Sequence, residues 1–347
     1  MTGFIAQRLL QALGVVLIMS LLVFAGVYAI GDPLAIMIPP DATQADAARL
    51  AASMGLDQPL WRQYLVFLGQ AVTGNLGVSF SFQVPAVTLI LERLPATLEL
   101  AVVATLIAVI FGIPLGLLAG LKPKSYLGRA IMAGSILGFS LPTFWVGLLF
   151  IMVFSVQLGW LPASGRGPTV DFLGVPVSFL SWEGLQHMLM PALNLALFKL
   201  SLVTRLVRAG AREALSLDYV RFARAKGLTE TRVIGVHVLR NILIPVVTVV
   251  GLEFGSLVAF AVVTETIFAW PGMGKLLIDS INTLDRPVVV AYLCVTVLVF
   301  VMINLAVDLA YAALPMFLLG HSVGATVATT YTLANQPRLR GLLLSGG

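Results

Sequence analysis

Residues 218–228, Asp-Tyr-Val-Arg-Phe-Ala-Arg-Ala-Lys-Gly-Leu, carry the most organised polar chemistry in this sequence. Tyr219, Phe222 and Ala223 fall at helical spacing, and Arg221 and Arg224 lie beside them on a second stripe. Gly227 can end such a helix in a left-handed conformation, and Thr229-Glu230 can start the next with a hydroxyl cap and an acid in the first turn. A short helix with an apolar side and a basic side is suited to docking on a partner. The alternative is a solvated loop that only fixes topology. A second set of groups lies inside apolar runs, where ionisable residues are costly and usually face a cavity or a partner. Glu253 is in the middle of one run and Glu99 near the end of another, and both are candidates for lining a pathway. Glu253 reads either as a group contacting a substrate amine or as a structural glutamate bonded to a neighbouring helix or subunit. Lys199 and Asp308 read as interfacial or structural.

The composition says what must position these groups. The 347 residues are 59% hydrophobic and 11% charged, with mean hydropathy +0.99. A soluble domain is nearer half apolar and a quarter charged, so the chain is a polytopic membrane protein. Runs of about 20 apolar residues mark candidate spans. They fall at 9–30, 97–121, 131–157, 186–207, 241–263 and 288–313.

Charge sets the orientation. Between Lys199 and Arg240 stand nine bases (Lys199, Arg205, Arg208, Arg212, Arg221, Arg224, Lys226, Arg232, Arg240) and three acids (Glu213, Asp218, Glu230). That excess places the 208–240 loop in the cytoplasm. The 122–129 loop, with Lys122, Lys124 and Arg129 and no acid, is also inside, whereas acid-rich 31–96 and the mixed loops 158–185 and 264–287 fall outside. The expectation is an all-α, N-in/C-in chain of six helices with a long first external segment. Within that segment, helices are expected over Asp41–Met54 and Gln58–Phe67, as an external cap or an insertion on the lipid surface. The net charge of +5 follows from the cytoplasmic loops and requires no nucleic acid.

Other functions find no support in the residues. No G-x-x-x-x-G-K-[ST] phosphate loop is present, so ATP hydrolysis is not on this chain. The single Cys294 and the scattered His187, His237 and His321 form no metal motif, and no bound cofactor is expected. The first apolar run has no small-residue cleavage site close behind and reads as a retained span. Pro114, Pro142, Pro191 and Pro245, with Gly112, Gly116, Gly138 and Gly147, suit kinked and closely packed helices. No paired broken repeats suggest a self-contained secondary carrier.

Several stretches together resemble the B-type transmembrane subunit of dipeptide, oligopeptide and nickel ABC importers. They are Gly31-Asp32-Pro33, MGLDQPLWRQY (54–64), GNLGVSF (74–80), ILERLPATLEL (90–100), IPLGLLAG (113–120), LPTFWVGLL (141–149), LGWLPASG (158–165), DYVRFARAKGL (218–228), LRNILIPVVTVVG (239–251), TETIFAWPGMGKLL (264–277) and NLAVDLAYA (304–312). They keep the family's order over residues 4–313.

The resemblance implies a type I importer permease fold in a bacterial inner membrane. It implies a homologous second permease, two ATPase subunits that bind ATP and magnesium, and an external solute-binding protein. It makes Asp218, Tyr219, Arg221, Phe222, Arg224, Ala225, Lys226, Gly227 and Leu228 the ATPase-coupling helix. The general importer pattern has Glu-Ala-Ala before the glycine, where Arg221, Phe222 and Ala223 stand here. The Gly227-to-Pro245 spacing is also longer, and both features match the peptide branch.

Residues 1–314 therefore read as the permease and 315–347 as a foreign-looking tail. The tail resembles an α/β-hydrolase fragment: a strand at 316–319, the G-x-S-x-G elbow at Gly320-His321-Ser322-Val323-Gly324, a helix over 325–336 and a strand from Gly341 to Leu344. Ser322 has no acid or histidine after it, so no hydrolase activity is expected. A divergent permease tail is the other reading.

Overall fold

The computed structural model describes residues 2–29, 49, 52, 57–313, 316–321 and 339–345. The expected helix at 41–54 lies almost wholly outside these residues. The second external helix is present as α2 (Leu60–Val72) and runs past its expected end. It lies against α1 (Thr2–Ala29), where Tyr64 hydroxyl meets Ser20 Oγ at 2.9 Å.

Two long helices form the spine. α3 covers Ala86–Leu121 and α6 covers Trp182–Ser216. At 1.5 Å per residue each is about 50 Å long, well beyond a hydrocarbon core of about 30 Å. Both therefore reach out of the membrane as continuous rods. The apolar run at 186–207 marks only the middle of α6; its ends are polar, so hydropathy alone shortens it. Ser181 caps α6 by accepting from Gly184 N at 3.0 Å.

The rods pack at backbone distance because Gly112, Gly116 and Gly120 recur every four residues on one side of α3. A Cβ on Gly116 would lie 2.6 Å from Val207 Cβ and 2.7 Å from Thr204 O. Gly116→Leu should accordingly force the rods apart, at a cost of about 1–3 kcal/mol or more for overpacking. Its thermal unfolding in detergent should fall well below that of the same change at Gly134, where a Cβ meets nothing within 4 Å.

The third apolar run is not one straight span. α4 (Tyr126–Ser140) and the segment formed by α5 (Thr143–Phe150) and the π-helical turns Ile151–Gln157 meet at 106°. The cause is Leu141-Pro142: proline lacks an N–H and pushes the preceding residue into the extended region, here φ −77°, ψ 134°. The fifth run is bent by 42° between Glu230–Leu243 and Pro245–Phe260. Its membrane half belongs to α9 (Leu239–Phe260), led by the single turn α8 (Glu230–Arg232) and the π-helical Val233–Val238. Among the described residues, four helices are long and apolar enough to cross a membrane, or six if each bent pair is one span.

α10 (Val262–Ile267), α11 (Met273–Asn282) and α12 (Arg286–Ala313) complete the bundle. A hairpin that hydropathy does not announce, β1 (Val170–Phe172) and β2 (Val175–Val177), sits between α5 and α6. Its Leu173-Gly174 turn has positive φ at both residues (53° and 81°), as a two-residue hairpin turn of this hand requires. In the tail, β3 (Met316–His321) pairs in parallel with β4 (Leu339–Ser345), at the expected strand positions. Ser322 and the expected helix at 325–336 lie outside the described residues.

Candidate functional site: a short basic helix seated in the core and a set of buried carboxylates

The segment expected to dock on a partner folds as α7 (Asp218–Ala225). Gly227 has φ +78° and ends it as expected, with Gly227 N on Arg224 O at 2.9 Å and Leu228 N on Ala223 O at 3.3 Å. The expected cap at Thr229 is only partly realised. Thr229 holds the capping position but its hydroxyl makes no capping bond. Glu230 is instead taken by Arg224, with Nε on Oε1 at 2.8 Å and a terminal nitrogen on Oε2 at 3.2 Å. This pair holds the Arg224 guanidinium above its ordinary pKa and Glu230 below its own, through the hydrogen bond between them.

The face that anchors α7 differs from the expected one by a side chain. Val220 and Ala223 are buried, Tyr219 is half-buried, and Phe222 is 61% exposed. Val220 and Ala223 pack with Val203, Val207, Ala211 and Ala214 of α6, and with Val233, Val238, Ile242 and Val246 leading into and along α9. Ile113 and Leu117 of α3 close this cluster. Asn241 donates to Tyr219 hydroxyl at 2.6 Å, a polar link to α9. What faces outward is Phe222 with Lys226 Nζ 4.5 Å from its ring, flanked by exposed Arg221, Arg224, Ala225 and Gly227. Asp218 is exposed and pairs with Arg221 at 3.4 Å. An aromatic patch ringed by cations on a rigid base has the anatomy of an interface anchor.

Within the spans, Glu253 of α9 is brought to Lys199 of α6 as an ion pair. Ser256 Oγ joins both, accepting from Lys199 Nζ at 3.0 Å and donating to Glu253 Oε2 at 3.1 Å. Lys199 is buried, while the Glu253 side chain is 36% exposed.

Glu99 is not open. Its Oε2 accepts from Arg166 Nη2 at 2.5 Å and Nε at 3.1 Å, and its Oε1 from Ser178 N at 2.5 Å and Phe179 N at 3.1 Å. It locks the 166–179 loop to the N-terminal half of α3.

Sequence reasoning passed over two more carboxylates of this kind. Glu265 is fully buried and accepts from Thr97 Oγ1 at 2.6 Å, Gly274 N at 2.7 Å and Lys275 N at 3.1 Å. Burial pushes its carboxyl above the usual range, and the hydrogen bonds from Thr97, Lys275 and Gly274 oppose that shift. Asp285, also fully buried, accepts from Ser79 Oγ at 2.5 Å and from Phe80 N and Ser81 N at 3.2 and 3.1 Å. Trp270 donates from Nε1 to Ala96 O at 2.9 Å. The available signal was TETIFAWPGMG itself: a Cβ at Gly272 would overlap the Glu265 carboxylate, so glycine is what lets the carboxylate in. Among the described residues no three His, Cys, Asp or Glu are placed to hold a metal ion.

The long and broken apolar helices, with the short amphipathic α7 seated on their core, define a polytopic membrane protein. Its sequence places it more closely. The model of the binding-protein-dependent transport system inner membrane component family matches residues 112–316, and that of the family's N-terminal membrane component matches residues 1–101. The chain belongs to this family.

It is 41% identical over 325 residues to the di/tripeptide transport system permease protein DppB of Pseudomonas aeruginosa (strain UCBPP-PA14), covering 90% of this chain and 97% of that one. It is 39% identical over 328 residues to the dipeptide transport system permease protein DppB of Escherichia coli (strain K12), with the same coverage. It is 38% identical over 315 residues to the glutathione transport system permease protein GsiC of the same strain, covering 90% and 98%. A chain of the inward-facing MetNI methionine ABC transporter shares the fold, with TM-score 0.50, 18% identity, and 65% of this chain and 95% of that one covered.

The protein is thus a multi-pass inner-membrane permease subunit of an ABC importer and not itself an enzyme. As a family member it works with ATPase and binding-protein partners. Neither family model extends past residue 316, and nothing in these similarities supports the hydrolase-like reading of the tail.

Proposed function

We propose that this chain and a homologous second permease form the pathway of an importer for di- and tripeptides or closely related small solutes. Two ATPase subunits bind the ATP and magnesium, one of them docking on this chain at 218–228, and an external solute-binding protein delivers the cargo. Residues 1–314 carry this role, and 315–347 are an added tail. The observation that supports the coupling is the shared core of α7, α6 and α9. A helix seated on a partner cannot move without carrying two spans with it, because packed interiors transmit strain. The substrate class rests on the likeness to peptide and glutathione permeases.

In the pathway, Glu253 is the group we assign to a substrate amine, since it is the exposed member of its pair. Glu99, whose carboxylate is filled by four protein donors, serves as a latch on the outer loop rather than as a substrate contact. The test is reconstitution with both ATPases, the second permease and the binding protein. ATP should drive uptake of a labelled dipeptide, and an ion gradient alone should drive none; gradient-driven flux would overturn the proposal. Glu253→Gln should raise the half-saturating concentration for a free dipeptide more than for its N-acetylated form. An equal effect on both would remove Glu253 from the pathway.

A further inference from the structure

The first and last spans enclose a cavity unrelated to docking or to the Lys199–Glu253 pair. Its volume is about 380 Å³, and its wall is formed by Met19, Leu22, Val23 and Gly26 of α1 and by Val289, Val290 and Leu293 of α12. Ser280, Ile281, Leu284 and Arg286 close one end. The walls are apolar except there. At that end Arg286 Nε and Nη1 and Ser280 Oγ are all buried and have no hydrogen-bond partner among the described residues. Guanidinium nitrogens buried without an anion are expensive, because their desolvation is uncompensated.

α1 and α12 are also the least buried of the four unbroken apolar helices, with 11% and 22% of their apolar windows inside the protein. Leu22, Ile281 and Leu284, which line the cavity, are 48–58% exposed. A neighbouring cavity of about 360 Å³ shares Met19 and Val23 and continues along α1 under α2. The space therefore opens to the bilayer and extends along the helix axis.

We infer that this cleft binds an anionic phospholipid: its phosphate meets Arg286 and Ser280, and its acyl chains lie along α1 and α12. The occupant must carry an anion at one end and hydrocarbon at the other. The membrane surrounding α1 supplies that class of molecule at the open side of the cleft. An oxygen of the phosphate accepts from Arg286 and Ser280 together, the geometry in which guanidinium excels. Such a lipid would wedge the loosely held α1 against α12.

The test uses the full chain in detergent, stripped of lipid and titrated with phosphatidylglycerol or phosphatidylethanolamine, read by native mass spectrometry and by thermal unfolding. Phosphatidylglycerol should be retained and should raise the unfolding temperature of the wild type. Arg286→Gln should weaken retention by about tenfold or more, the loss of one charge-assisted contact. Arg286→Lys should keep part of it. Gly26→Leu leaves the charge alone and fills the cleft, since a Cβ there meets nothing within 4 Å; it should also weaken retention. Equal binding by wild type and Arg286→Gln, or protection by inorganic phosphate alone equal to that by lipid, would overturn the inference.

Discussion

Phe222→Ala should abolish most ATP-driven uptake while leaving the folded permease intact. The side chain is 61% exposed and contributes nothing to the cluster that anchors α7, which is held by Val220 and Ala223. Surface substitutions away from packed features change stability by no more than about 0.5 kcal/mol, so the unfolding temperature should barely move. At a partner interface the same residue is a central aromatic anchor. Truncating such anchors costs roughly 2 kcal/mol or more, about a thirtyfold loss of affinity. The measurements are ATPase co-purification and uptake in proteoliposomes, with unfolding as the control. Val220→Asp provides the contrast: an unpaired carboxylate in the shared core should lower stability and coupling together. Full uptake and full ATPase retention in Phe222→Ala would dismiss the docking assignment.

The second large effect is expected at Glu265. Truncation to alanine strands three donors, Thr97 Oγ1, Gly274 N and Lys275 N, in the interior. Each orphaned buried group costs roughly 1–3 kcal/mol, so the total for three is on the order of 3–9 kcal/mol, enough to prevent accumulation of folded protein. Glu265→Gln keeps one carbonyl acceptor and no charge and should cost much less.

The pH dependence follows from the same burial. The carboxyl pKa is raised above 4.5 in the folded chain. Its contribution to stability is therefore fully present below about 4.5, the unfolded value, and is lost as pH rises through the folded value. The unfolding temperature should fall over that window in the wild type and not in Glu265→Gln. A wild-type curve that rises instead would show that the three hydrogen bonds outweigh desolvation.

The two experiments probe opposite ends of one machine. α6 runs unbroken from the Ser181 cap, through Asn194, whose Nδ2 donates to Thr264 Oγ1 at 3.1 Å beside Glu265, to the core that seats α7. One helix of about 50 Å thus connects the surroundings of Glu265 to the core that seats α7, and under the proposed coupling it would carry motion of α7 to groups tens of ångströms away.

What could be read from the sequence was whatever depends on local pattern and bulk solvation. Apolar runs of spanning length, an excess of bases in 208–240, a glycine at 227 needing positive φ and a proline at 142 forcing a break are each written over a few residues. So was the short helix at 218–225, because an amphipathic helix of eight residues carries its own periodicity. The break at Leu141-Pro142 was present too, but a hydropathy run does not distinguish one straight helix from two that meet at 106°.

What only the tertiary structure decided is which polar group meets which. Glu99 and Glu253 were both carboxylates in apolar runs. Folding fills one with Arg166 and loop N–H groups and leaves the other half-exposed beside Lys199, through partners 67 and 54 positions away. Glu265 is marked locally only by the glycine at 272 and Asp285 by nothing, since Thr97 and Ser79, which donate to them, lie 168 and 206 positions away. Phe222 and Val220 look alike as apolar residues on a short helix. Their fates diverge because α7 lies on a core built from α3, α6 and α9, whose orientation no eight-residue pattern encodes. Hydrophobic pattern selects the environment of a segment, whereas the pairing of buried charges is set by distances between segments, and these exist only once the chain is packed.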